Sequence, residues 1–414
     1  MQIKTKMLDW VSRFNIFCFL DDHNYRLPGH AQECIAGAGA SRNWTFEDWD
    51  AGNPEADWVF CQLGYGLKGQ TLGVKGGPPD PIGFPDSFFF TPQYVLVLEG
   101  GELRIGSLAE DHGQVFAGIL RGTQAGDRKP GHARSAVPQV HPRITRSKYI
   151  DTIEKLKAHI RRGDCYEINF CQEFYARDAD LDPVQVYTDL AEISPNPFSA
   201  LYRLHERYAI CASPERFIRK SGNRITSQPI KGTMRRAPGS REEEEVMKRT
   251  LLESEKERSE NVMVVDLVRN DLSMICTEGS VRVDELFGIY TFPQVYQMVS
   301  TISGELRGDI PFRDIIRACY PMGSMTGAPK KRVLELIDRY ESTGRGLFSG
   351  SVGYITPDGD LDLNVMIRSI FYDRSARYMN YLVGSGITFY CDPEKEYEEC
   401  LLKSKAMQAA LGLP

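Results

Sequence analysis

Lys231 is the residue whose neighbours best equip it for chemistry. It sits in Pro229-Ile230-Lys231-Gly232-Thr233, where Pro229 fixes the backbone and Gly232 permits close approach. Glu215, in Ser213-Pro214-Glu215-Arg216-Phe217, stands sixteen residues upstream. Downstream come two carboxylate pairs, Glu257/Glu260 and Glu396/Glu399, each spaced i,i+3. On a helix, side chains at that spacing share a face and can reach one ion together. Mg²⁺ prefers hard oxygen ligands and keeps several waters, so both pairs could share one such ion. A placed amine, a placed acid and a carboxylate cage suggest a Mg²⁺-dependent enzyme acting on an acidic small molecule. The same residue types also suit a surface lysine and solvated helix faces, and Glu242 to Glu245 reads as such a face.

A nucleophilic Lys231 needs an amine that is neutral at working pH, through desolvation or a neighbouring cation. Arg235 and Arg236 are close in sequence. Gly323-Ser324-Met325-Thr326-Gly327-Ala328-Pro329-Lys330 is a glycine-containing loop entering a helix, where free N–H groups suit an anion. It lacks the Gly-Lys-Ser/Thr ending of a nucleotide-binding loop, and a plain helix entry fits it too. Arg368 interrupts an apolar run, Val365-Met366-Ile367-Arg368, so it lies at an edge or pairs with an acid such as a substrate carboxylate. Gly384-Ser385-Gly386 would let backbone N–H groups approach a ligand.

These residues need elements to position them. Apolar residues Ile150, Ile153, Leu156 and Ile160 mark a helix ending at Gly163, followed by a strand from Cys165 to Tyr175. Residues 208–236 read as two strands around Ser221-Gly222-Asn223, with Lys231 near the end of the second. Ser240-Arg241-Glu242-Glu243 fits a capping box. It opens a helix that, or whose successor, carries Glu257 and Glu260. Helices follow Pro311 and Pro329, the latter with Val333, Leu336, Ile337 and Tyr340 as its buried stripe. Strands are expected over 350–356, 363–372 and 378–390, and a last helix over 393–411 carries Glu396 and Glu399. Upstream, residues 58–63 and 94–98 read as strands separated by a Gly/Pro-rich loop over 76–85. The basic, proline-containing stretch 121–148 reads as a linker. The class is α+β with a large antiparallel component.

Bulk properties narrow the function. The chain has 414 residues, 42% hydrophobic and 26% charged, with net charge −6. It is long enough for a large core or two domains, and no basic run points to nucleic acid. Ten cysteines without a Cys-x-x-Cys pattern read as buried thiols of a reducing compartment rather than zinc ligands. No signal peptide and no run of about 18 apolar residues is present, so a cytoplasmic location without membrane contact is expected. All seven histidines (His23, His30, His112, His132, His141, His159, His205) lie in the first half. Chemistry in the second half must therefore use Glu, Asp, Lys, Tyr or water, which disfavours a Ser-His-Asp triad there.

Taken together, the Glu215, Lys231, Gly323–Lys330 and carboxylate motifs resemble the chorismate-utilising enzymes. These comprise the large subunits of anthranilate synthase and aminodeoxychorismate synthase, with the isochorismate and salicylate synthases. The resemblance runs from about Ser147 to Met407, and more weakly through Phe19-Leu20-Asp21-Asp22-His23-Asn24-Tyr25. It implies antiparallel sheets packed as a sandwich with flanking helices. It divides the chain into an N-terminal subdomain, 1–135, and a catalytic domain, 136–414.

Anthranilate synthases typically carry Pro-Ile-Ala-Gly-Thr where this chain has lysine, and the lysine resembles aminodeoxychorismate synthase component I. Glu167 occupies the position of the water-activating lysine of isochorismate and salicylate synthases. The resemblance implies that Mg²⁺, held through Glu257, Glu260, Glu396 and Glu399, grips the ring carboxylate of chorismate. Arg368, Gly384, Ser385, Gly386, Ser324 and Lys403 would bind substrate, with Gly232 and Thr233 lining the pocket. Lys231 would attack ring C2 while Glu215 protonates the departing C4 hydroxyl, and ammonia would then add at C4.

Three positions depart from relatives: Gln297 for a histidine, Phe348 for a tyrosine and Glu167 for a glutamine. No Gly-x-Cys-x-Gly nucleophile turn and no fused lyase is evident, so a separate glutamine amidotransferase subunit is the expected ammonia source. The competing readings are anthranilate synthase component I, a silent chorismate- or amino-acid-binding regulator, and a Schiff-base lysine aldolase. The last lacks a barrel-like βα repeat.

Overall fold

The computed structural model describes residues 2–25, 32–49, 57–122, 137–236, 239–308 and 310–413. Nineteen strands are found among them. The first five are β1 (Ile16–Asp21), β2 (Cys34–Trp44), β3 (Val59–Leu63), β4 (Ser87–Glu99) and β5 (Glu102–Ser107). The middle of the chain gives β6 (His141–Pro142), β7 (Glu167–Ala176), β8 (Phe198–Leu204), β9 (Arg207–Ser213) and β10 (Arg216–Ser221). Next are β11 (Arg224–Gln228), β12 (Ile230–Arg235), β13 (Arg282–Thr291), β14 (Val295–Glu305) and β15 (Gly327–Ala328). The last are β16 (Ser351–Ile355), β17 (Leu361–Asn364), β18 (Ser369–Asp373) and β19 (Tyr378–Ile387).

All the pairings are antiparallel and form one continuous path. It runs β7–β19–β18–β9–β8–β1–β2–β4. It then continues β4–β3–β16–β17–β10–β11–β14, with β12 and β13 also on β14. The corner is β4. One edge pairs with β2, and the other pairs with β3 through Ser87–Phe90 and with β5 through Tyr94–Glu99.

Period-two alternation puts apolar residues on both faces of these strands. In β1, Phe17 and Phe19 enter one core while Cys18 enters the other. The ten cysteines are buried free thiols, as the composition suggested. No helix among the described residues is long and apolar enough to cross a membrane.

The expected boundary at 135/136 lies outside the described residues, as does much of the basic 121–148 stretch. Backbone pairing joins the segments on either side of it, β1 to β8 and β3 to β16.

Most expected elements form. The capping box at Ser240 is complete: Ser240 Oγ accepts from the Glu243 N–H and the Glu243 carboxylate accepts from the Ser240 N–H. The last helix spans Pro393–Ala410. Three expectations need correction. Residues 208–236, read as two strands, form four, β9 to β12, because Pro214 and Pro229 interrupt them. The strand expected over 363–372 is broken between β17 and β18, and Arg368 stands in the break with φ 52°. Lys231 lies at the start of β12 rather than near a strand end, because Pro229 separates β11 from β12.

Candidate active site

The two ends of the strand path converge on one open cavity. Asn169 of β7, Leu382, Val383, Gly384 and Gly386 of β19, Lys231–Thr233 of β12 and Gln297 of β14 form its walls. The helices Glu255–Ser273 and Pro393–Ala410 contribute carboxylates and a lysine.

Lys231 reaches the cavity because β12 is irregular. The register against β14 slips between Ile230 and Thr233, a bulge of the kind that re-aims a side chain. Gly232 sits in the slip with φ 101°, where a Cβ would come within 3.2 Å of Glu257 Oε2. The backbone is pinned there: Asn261 Nδ2 donates to the Lys231 carbonyl at 3.1 Å, and Ser300 Oγ donates to Asn261 Oδ1 at 2.6 Å. β14 then sets Gln297 opposite Thr233, and both line the cavity.

The Lys231 ammonium donates to Glu167 Oε1 at 2.5 Å. Burial pushes its pKa down, but the charges of Glu167 and Glu260 outweigh burial and hold it above the ordinary lysine value. The neighbour that matters is thus a carboxylate rather than a cation. Arg236 is turned away and pairs with Glu244. Gly386 is the floor under this pair: a Cβ there would lie 2.8 Å from Lys231 Nζ and 2.9 Å from Glu167 Oε1.

Glu215 occupies the turn between β9 and β10. Its N–H donates to Ser213 Oγ at 3.2 Å and its carbonyl accepts from the Val365 N–H at 3.0 Å. Next to it, Arg216 grips both carboxylate oxygens of Asp362 at 2.9 Å, which fixes the corner. Burial raises Glu215 to about 7, against the pull of Ser324, the Ile230 N–H, Lys231 and Arg368. A carboxyl titrating there can hold a proton to donate near neutral pH.

Arg368 lines the same cavity. Its left-handed backbone turn is held by the Ala212 N–H, which donates to its carbonyl at 3.2 Å. Among the described residues its guanidinium has no ion-pair partner. Burial lowers its pKa, while Glu399 and Glu215 raise it.

The loop Gly323–Lys330 is not a helix N-terminus facing the cavity. Gly323–Met325 forms a single tight turn, Gly327–Ala328 pairs with β7, and Lys330 donates to Asp271 at 2.6 Å. Ser324 and Met325 reach the cavity.

The acidic residues are balanced by lysines. Lys256 Nζ lies 3.1 Å from Glu396 Oε1 and 3.8 Å from Glu260 Oε1, and Lys403 Nζ lies 2.7 Å from Glu399 Oε1. Lys403 also donates to the Gly384 carbonyl at 3.0 Å. Lys403 holds Glu399 down at about 2. Burial lifts Glu260 to about 8, and the neighbouring charges of Glu167 and Glu257 add to this. Burial also raises Glu257 and Glu396.

Among the described residues no three His, Cys, Asp or Glu side chains converge closely enough to hold a metal ion. The donor set still suits a hard cation. It is all oxygen, its carboxylates crowd one another, and Glu260 Oε1 is buried without a hydrogen-bond partner.

Of the residues singled out from sequence, Lys231, Glu215, Gly232, Thr233, Ser324, Arg368, Gly384, Gly386, Lys403, Glu257, Glu260 and Glu399 share this cavity. Two do not line it. Ser385 points to the opposite face of β19, where its hydroxyl meets Tyr149 at 3.0 Å, as strand alternation requires between two inward-facing glycines. Glu396 is buried against Lys256.

Sequence reading passed over Lys256, although its i,i+4 spacing to Glu260 was a usable signal. It also passed over Asn169 and Met325. Their contribution depends on Arg345, which donates to both their carbonyls.

The anthranilate synthase component I-like protein of Synechocystis sp. is 34% identical over 352 residues, 84% of this chain and 71% of that one. Aminodeoxychorismate synthase component 1 of Bacillus subtilis is 38% identical over 270 residues, 65% of this chain and 57% of that relative. The crystal structure of anthranilate synthase component I from Streptococcus pneumoniae superposes with a TM-score of 0.74 at 26% identity. It covers 86% of this chain and 81% of that one. The family model for chorismate binding enzymes matches residues 23–409, a span that holds every lining residue of the cavity, and the chain belongs to that family.

Proposed function

We propose that this chain is the chorismate-converting component of an aminodeoxychorismate synthase. It would take chorismate and ammonia to 4-amino-4-deoxychorismate, the precursor of 4-aminobenzoate and folate. The observation that carries the reading is that Lys231, in the Pro-Ile-Lys-Gly-Thr context, lines one cavity with a carboxyl raised to about 7 and an arginine that has no ion pair among the described residues. Relatives named for that activity support it.

In this reading Arg368 and the backbone N–H groups at Gly384 and Gly386 hold the enolpyruvyl carboxylate. Among the described residues β18 pairs with β19 only as far as Tyr381, which leaves one edge of residues 382–387 without a strand partner. Glu257, Glu260, Glu396 and Glu399 would hold Mg²⁺, which supplies positive charge for the ring carboxylate.

The Lys231 ammonium passes a proton to Glu167, its hydrogen-bond partner. The free amine bonds to ring C2, the double bonds shift round the ring, and the C4–O bond breaks as Glu215 gives its proton to the hydroxyl, which leaves as water. Ammonia then bonds to C4, the double bonds shift back, and Lys231 is released. The ammonia would come from a separate glutamine amidotransferase subunit.

The test is product identification with chorismate, Mg²⁺ and ammonium. The expected product is 4-amino-4-deoxychorismate with no pyruvate. Anthranilate with release of pyruvate would assign the chain to the anthranilate synthases, and binding without turnover would make it a regulator.

A further inference from the structure

Three ammonium groups sit on the carboxylates around this cavity, and they are not equivalent. Lys231 is largely covered and bonds the buried Glu167, and Lys403 bonds Glu399 within one helix. Lys256 alone spans two helices. From the first turn of Glu255–Ser273 its Nζ reaches Glu396 on Pro393–Ala410, and it also lies within reach of Glu260. The two carboxylates it bridges are ones assigned above to a shared ion. Its side chain is 44% exposed, so the ammonium has an open way out to solvent. Glu260 Oε1, on the same side chain it approaches, has no hydrogen-bond partner although it is buried.

Crowded carboxylates repel one another in a low-dielectric setting unless a positive charge stands between them. We propose that Lys256 is a tethered stand-in for the divalent cation. Its ammonium bridges the two helices while the metal is absent and swings to solvent when the metal enters. The lysine then competes directly with the ion, which lowers metal affinity and keeps the empty site folded. This inference rests on the metal assignment in the proposed function, and its test separates the two.

Mn²⁺ binding to the full chain, without chorismate, is measured by electron paramagnetic resonance of the free ion. Lys256→Met should bind Mn²⁺ at least about tenfold more tightly than wild type, because a competing charge is gone. Its melting temperature without metal should fall, and its rise on saturation with Mn²⁺ should exceed that of wild type. Lys256→Arg keeps the charge and should bind like wild type. In the wild type, acetylation of Lys256 followed by mass spectrometry should increase when Mn²⁺ is added. Equal or weaker binding by Lys256→Met, or unchanged labelling, overturns the stand-in role while leaving the metal assignment intact. No Mn²⁺ binding by either protein overturns both. The product test with ammonium decides the activity separately.

Discussion

Arg345, fully buried, and Arg368, half-buried, are two cations around one cavity, and they end in opposite states. Arg345 is saturated. Its Nε and Nη2 bond both carboxylate oxygens of Glu341 at 2.9 and 2.6 Å. Its remaining donors reach the carbonyls of Met325 and Asn169 at 2.7 and 2.8 Å and Ser349 at 3.2 Å. Arg368 has no ion pair among the described residues and opens onto the cavity. A buried charge with every donor used stabilises what it touches, whereas one left without a counter-charge has a partner still to come. Arg345 shapes the wall, since Asn169 and Met325 both line it, while Arg368 faces what the wall encloses.

That contrast can be broken or sharpened at five positions. Lys231→Ala should lower ammonia-dependent turnover by about 10³-fold or more and remove any covalent substrate adduct seen by mass spectrometry. Unchanged rates would show the amine to be a bystander. Glu215→Gln should slow kcat by about 10²–10⁴-fold while sparing KM. With Glu215 titrating at about 7, wild-type kcat should decline as pH rises through that value, since the acid loses its proton, and the variant should lack that decline.

Arg345→Met strands Glu341 as an uncompensated buried charge and should cost about 3–5 kcal/mol of stability in denaturant unfolding. Arg368→Gln should do the reverse. It should keep or slightly raise stability but increase KM for chorismate about 10–100-fold, the value of a charge-assisted bond of about 1.5–3 kcal/mol. If Arg368→Gln unfolded the protein and Arg345→Met raised only KM, the roles assigned to the two arginines would be reversed.

The smallest effect is expected from Glu167→Gln. Lys231 loses the charge that holds its pKa up, so the amine becomes free at lower pH. The rising limb of the pH–rate profile should move down, and a limb that stays put would separate Glu167 from the lysine's titration.

Much of the site could be read from sequence because its signals are local. Helix spacing puts Glu257 and Glu260 on one face, and Pro229 and Gly232 mark the turn that presents Lys231. The misreadings share a cause, which is that they depend on partners far along the chain. Arg368 looked like part of a strand, but pairing of β18 with β9 and the bond from the Ala212 N–H kink the backbone at that residue. Ser385, between two glycines, looked placed to bind substrate until pairing with β7 fixed which face each residue takes. The counter-ion of Glu396 was equally out of local view, since Lys256 lies 140 residues earlier. The fold class followed from patterning, but no local pattern shows that β4 joins the two sides of the sheet.

The place of β4 has a consequence for heredity and for truncation. Strands β1 to β4 supply no lining residue, yet among the described residues they hold the sole run of backbone pairings connecting the β7 end to the β14 end. A fragment beginning at residue 136 would keep every lining residue and lose the splice that brings the two ends together. Selection on the cavity therefore reaches into a segment that lends it no lining residue.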